Sequence, residues 1–137
     1  MQTAGYSGTP LAKKLGIKAG FKVMLVNAPE YYPDLFTDLP PDIVFVNDAH
    51  QLKDLIHIFV DDKAGYLAQL PLIKTQIVQN GSIWVSWPKK ASKIKTDITE
   101  DVIRNYALQT GLVDVKVCAV NEVWSALKLV IRLADRK

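Results

Sequence analysis

The sequence predicts an α/β protein of three layers, with one mostly parallel sheet covered by helices on both faces and an antiparallel strand pair at its carboxyl-terminal end. Three observations carry this reading. Apolar runs of strand length recur with helically spaced segments between them, the alternation expected of parallel strands joined by crossover helices. Val23 to Val26, Ile43 to Val46 and Leu55 to Val60 are unbroken or nearly unbroken runs, as in central strands buried on both faces. The last two runs, Val113 to Val120 and Leu127 to Leu133, alternate instead, which suits more exposed strands paired antiparallel at a sheet edge.

The elements follow in order. Thr9 is placed to cap a short helix from Pro10 to Leu15, with Pro10 at its first position and Gly16 as its stop. Lys22 to Asn27 is the first strand. Pro29, Pro33, Pro40 and Pro41 leave room for only a short helix around Asp34 to Leu39 before the second strand, Ile43 to Val46. The third strand, Leu55 to Val60, leads into a helix from Lys63 to Gln79, in which Pro71 starts a second piece and Gly81 marks the end. Ser82 to Trp87 is the fourth strand. Asp97 and Glu100 read as the capping box of the next helix, whose stripe is Ile98, Val102, Ile103, Tyr106 and Ala107, with Gly111 beyond its end. In the last two strands Val113, Val115, Val117 and Ala119 are expected on one face, as are Leu127, Leu129, Ile131 and Leu133.

A chain of 137 residues makes one domain, residues 1–137, with residues 1–20 as an N-terminal helical extension. Hydrophobic residues at 49% beside 23% charged exclude a disordered or fibrous chain. Seventeen Lys and Arg against fourteen Asp and Glu give +3, an excess that suits an anionic ligand without demanding nucleic acid. The single Cys118 excludes an internal disulfide. Met1 to Gly20 lacks the apolar core of a secretory signal, and no apolar run approaches the ~18 residues that span a bilayer. A cytoplasmic protein without membrane association is the expectation.

The layout resembles an abbreviated class I S-adenosylmethionine-dependent methyltransferase, a Rossmann-like fold. Ala4 to Leu11, Trp84 to Ser92, and Val113 to Val120 with Trp124 and Lys128 are similar to a family of short bacterial proteins that share a methyltransferase-like fold and have no established activity. The resemblance implies a cofactor turn after the first strand, where glycine allows close approach to the adenosyl and amino-acid parts, and an acidic residue after the second strand for the ribose hydroxyls. Here the turn reads Asn27, Ala28, Pro29, Glu30, and the acidic candidate is Asp48. S-adenosylmethionine therefore enters as a cofactor to be tested, not as a settled one.

In open α/β sheets a ligand lies beyond the carboxyl ends of the strands, which brings Asn27, Ala28, Pro29, Glu30, Asp48, Asp61, Asp62, Trp87, Pro88, Lys89 and Lys90 into consideration together. Trp87 to Lys90 combines an aromatic face with two ammonium groups able to meet phosphate or carboxylate; the plainer reading is a packed tryptophan beside solvated lysines. Lys93 and Lys95 extend the patch, but Asp97, Glu100 and Asp101 follow, so a nucleic-acid partner is not expected. Asp61 and Asp62 read as loop residues rather than a metal pair, and no metal site is expected. His57, flanked by Leu55 and Phe59, reads as a satisfied core histidine, and Cys118 beside Lys116 as an inert thiol. Ser7, Gly8 and Thr9 offer an anion site that capping alone also explains. Trp124 reads equally as a core residue or as a contact in a homo-oligomer.

These readings lead to a non-catalytic binding or regulatory module for a small anionic ligand. The alternative is a methyltransferase with an atypical cofactor loop. The residues assign no catalytic group.

Overall fold

The computed structural model describes residues 9–137, so Ser7 and Gly8 of the suggested anion site lie outside the described residues. Six strands form one sheet in the order β2-β1-β3-β4-β6-β5. β1 (Lys22–Val26), β2 (Val44–Phe45), β3 (Lys53–Phe59) and β4 (Ile77–Pro88) run parallel, and β5 (Leu112–Ala119) and β6 (Trp124–Ile131) add the antiparallel pair. Among the described residues, no helix is long and apolar enough to cross a membrane.

Successive strand residues point to opposite faces, and the two faces are covered differently. Met24, Ile56, Ile58, Ile83, Val85, Leu127 and Leu129 share one core with α2 (Lys63–Lys74) and α3 (Glu100–Gln109), which bring Tyr66, Leu70, Ile73, Ile103 and Ala107. Val23, Leu55, Trp84 and Ala126 face the other way, against α1 (Leu11–Leu15) and Leu35, Phe36 and Leu39 of the segment after β1. Burial of each such aliphatic or aromatic side chain contributes about 1.5–3 kcal/mol, so this second cover matters although α1 has only five residues. The indole of Trp84 donates to the carbonyl of Leu15 at 2.9 Å, fixing α1 to the middle of the sheet.

The structure corrects several sequence expectations. Ile43 to Val46 is not a central strand. Only Val44 and Phe45 pair, at the sheet edge beside β1, and both side chains are about half exposed. The seven residues from 46 to 52 leave no length for a covering helix, which is why this apolar run stays uncovered. The helix expected over Lys63 to Gln79 ends at Lys74, with Pro71 inside it and no break. Gly81 then lies within β4, where the pairing with β3 jumps from Lys53↔Ile77 to Leu55↔Ser82. A Cβ at Gly81 would stand 2.8 Å from the backbone oxygen of Asp54, so the glycine serves a close strand approach, not a helix end.

The helix caps also differ. α3 is capped by Thr99, whose side chain accepts from the N–H of Val102, while Asp97 accepts from the N–H of Lys63 at 2.7 Å and caps the first turn of α2. Ile98 and Ile103 flank this cap in one core, the spacing of a hydrophobic staple. In α1 the cap position is Pro10, without a side-chain cap. The Asp38 carboxylate accepts from Ala12 and Lys13 N–H groups, both at 3.1 Å. Gly16 stops α1 in the left-handed conformation, as its position implied.

The terminal pair is antiparallel, but only β5 is at the edge; β6 lies between β4 and β5 and buries Leu127, Leu129 and Ile131. A register shift between Asp114 and Lys116 reverses the alternation in β5. Val113 lies opposite Val130, whereas Val117 lies opposite Leu127 on the other face, so the four small apolar residues do not share a face. Leu133 falls outside β6, in a short 3-10 turn, and is exposed.

Candidate functional site at the carboxyl rim

Register places three strand ends side by side. Val26 lies opposite Ile58, Ile58 opposite Val85, and the Val60 N–H donates to Ser86 O at 2.9 Å. Pro88 lies opposite Trp124, where the antiparallel β6 begins, and the Lys89 N–H donates to Val123 O at 2.8 Å. Asn27 to Glu30, Asp61, Pro88 to Lys90 and the turn from Asn121 to Trp124 therefore share one rim. Asp48 does not join them. Its carbonyl accepts from the Lys53 ammonium at 2.6 Å, at the amino end of β3, because the chain folds back after the two-residue β2.

The turn after β1 is tight without a glycine. Asn27 itself takes a left-handed backbone, φ 57, a conformation that asparagine adopts more readily than most residues. The chain then makes a 3-10 turn, Tyr32–Leu35, that lays Tyr32 over the sheet. Tyr31, exposed, accepts at its hydroxyl from Trp124 Nε1 at 3.0 Å and Asn121 Nδ2 at 3.3 Å, joining the β1 loop to the β5–β6 turn across the rim. The Asn121 Oδ1 accepts from both Val123 and Trp124 N–H groups at 2.9 Å, which fixes that turn. Trp124 meets Phe59 edge-on at 5.0 Å, so it is a half-buried rim residue bound within its own chain.

Below the rim, Tyr32, His57 and Ser86 form a buried chain of hydrogen bonds. The Tyr32 hydroxyl lies 2.9 Å from His57 Nδ1, and His57 Nε2 lies 2.6 Å from Ser86 Oγ. The His57 ring stacks on Phe59 at 4.4 Å. Burial pushes the imidazole pKa down to about 3 and raises that of the Tyr32 phenol, so both are neutral at pH 7. All three groups are buried, so the chain of bonds ties the segment after β1 to β3 and β4 beneath the rim.

The other sequence candidates separate clearly. Trp87 is only 8% exposed and belongs to the core under α2 and α3, so its indole is not an open stacking face. Pro88 is buried, Lys89 half-buried and Lys90 exposed. Asp62 caps α2 by accepting from Gly65 N–H, and the Asp61 carbonyl accepts from Thr96. No group of three His, Cys, Asp or Glu among the described residues is arranged to hold a metal. Tyr31 and Asn121 were not marked by the sequence, since nothing local signals a contact about ninety residues apart.

Several solved structures that share this fold are described as methyltransferases. A type 11 methyltransferase from Sulfolobus solfataricus superposes with a TM-score of 0.61 at 12% identity, over 93% of this chain and 92% of the other. A SAM-dependent methyltransferase from Aquifex aeolicus gives 0.58 at 12% identity, over 89% and 88%. The fold is that of the class I methyltransferases. A ribosomal protein L11 methylase from Lactobacillus delbrueckii subsp. bulgaricus is similar too, with 0.58 at 10% identity over 88% of this chain and 74% of that one. No protein-family model matches the sequence, and no curated protein is significantly similar to it.

Proposed function

We propose that this chain binds S-adenosylmethionine at its carboxyl rim and acts as a methyltransferase with an atypical cofactor loop. The observation that carries the reading is the placement of the β1, β3 and β4 ends together on the sheet of a methyltransferase fold. The exposed rim carries both signs of charge, with Glu30, Asp61 and Glu122 beside Lys90. A ligand bearing a sulfonium, an ammonium and a carboxylate suits such a rim better than a simple anion does. The residues fit the cofactor at the β1 turn, where Asn27 supplies the left-handed backbone. They do not fit it at the second strand, where Asp48 is drawn to the opposite end of the sheet. Glu30 is the rim carboxylate we assign to the ribose hydroxyls, and Asn27 to Pro29 the backbone beside the amino-acid part. When bound, the cofactor supplies an electrophilic methyl group.

A second reading, a non-catalytic module that binds a small anion, is favoured by the displaced Asp48 and by Ala28 and Pro29 in place of glycine. Thermal unfolding with S-adenosylmethionine and with its demethylated product separates the two. Ligand at a hundred times its dissociation constant stabilises a fold by ~2.7 kcal/mol, so a rise in melting temperature that Glu30→Gln weakens supports the cofactor reading. No rise with either compound overturns it. Loss of inorganic anion binding in a Lys89→Ala, Lys90→Ala variant would then support the module.

A further inference from the structure

A second cluster of cations lies away from the rim, on the face that α1 covers. Lys116 and Lys128 are directly opposite each other across β5 and β6, on one face of the sheet. Like charges in that position destabilise an antiparallel pair. Lys18, in the turn between Gly16 and Gly20, acts on Lys128 as a further positive charge. Lys14 is adjacent: its ammonium donates to Ala119 O at 3.0 Å, and the Lys116 ammonium lies 3.5 Å from Lys14 O. Lys128 is half-buried, so part of its hydration is lost as well.

Among the described residues, no ion pair offsets this repulsion at Lys18, Lys116 or Lys128. The ion pairs among the described residues join Arg104 to Glu100, Asp101 and Asp114, and Arg132 to Asp135. Residues 1–8, Met-Gln-Thr-Ala-Gly-Tyr-Ser-Gly, contain no acidic side chain. Two lysines facing each other in the middle of a strand pair break a local rule of sheet stability, and such breaks are expected where a site has a use for them. We propose that Lys18, Lys116 and Lys128 form a binding site for a compact oligophosphate, with Lys14 at its margin. Ammonium groups are point charges that meet phosphate oxygens without a required plane, and a di- or triphosphate brings several negative charges within the span of this cluster. Indole stacking does not contribute, because Trp84, level with Lys128, is fully buried beneath Leu15.

The probe is sodium tripolyphosphate, titrated by calorimetry at constant ionic strength against the full chain. Lys116→Glu places a carboxylate opposite Lys128. It is expected to raise the melting temperature of the unliganded protein and to weaken tripolyphosphate by about tenfold or more, which is at least ~1.4 kcal/mol. Lys116→Gln with Lys128→Met removes the repulsion without a new pair and is expected to act in the same direction. Lys93→Ala with Lys95→Ala, which removes two exposed lysines outside the cluster, is expected to leave tripolyphosphate binding unchanged, which separates this site from general surface charge. Equal affinity in wild type and Lys116→Glu overturns the proposal. So does stabilisation that sodium chloride reproduces at the same ionic strength, or a single-stranded oligonucleotide that binds more tightly than tripolyphosphate.

Discussion

His57 shows how one buried side chain ties the pH dependence of folding to the architecture of the rim. A neutral imidazole has one donor and one acceptor nitrogen, and Tyr32 and Ser86 take one each in either tautomer. The unfolded histidine takes up its proton near 6.5, whereas the folded one does so only near 3. Between those values the unfolded chain holds more protons. The stability contributed is complete above about 6.5 and is lost as pH falls toward 3, at ~1.4 kcal/mol per unit inside the window. His57→Leu is expected to be less stable at neutral pH, by ~1 to 3 kcal/mol for each stranded hydroxyl, yet to have the flatter profile from about pH 6.5 to 4.5. Urea unfolding across that range tests this, and parallel profiles would contradict it. That His57 sits in the core was legible from Leu55 and Phe59 beside it on a strand; its partners were not, because Tyr32 and Ser86 are 25 and 29 residues away in sequence.

At the scale of elements, α2 and α3 are joined at their beginnings. Thr99 caps α3 and Asp97, two residues before it, caps α2 from outside. Thr99→Ala is expected to cost about 1 kcal/mol and to speed hydrogen exchange at the Val102 amide. Asp97→Ala should instead speed exchange at Lys63, and acceleration at the Glu100 amide alone would restore the capping-box reading. The presence of α3 was legible from its apolar stripe, while its cap was misread because Asp97 and Glu100 satisfy the same spacing that Thr99 and Val102 satisfy by contact. The second strand was misread for a different reason. Ile43 to Val46 has the composition of a buried strand, but burial also needs covering chain, and the residues from 46 to 52 supply none. Likewise the bulge between Asp114 and Lys116 reverses an alternation that residue types alone cannot reveal.

Across the whole molecule, one sheet with two unequal covers brings its parallel strand ends to a single edge, where the chain after β1 meets the turn before β6 through Tyr31. The layered class, the parallel core and the antiparallel finish were legible because periodicity reports which faces are covered. The closure of the rim was not, because it rests on contacts between loops about ninety residues apart. Asn27 to Glu30 and Pro88 to Lys90 do share the edge, and Asp48 stands apart from both. The most direct measurement is an amide chemical-shift titration of the full chain with S-adenosylhomocysteine. Saturable shifts at Asn27, Ala28, Glu30, Tyr31, Asp61 and Lys89, with the lysines of β5 and β6 unmoved, are the predicted result. A titration that moves no rim amide, or only residues at the amino ends of the strands, would contradict the account.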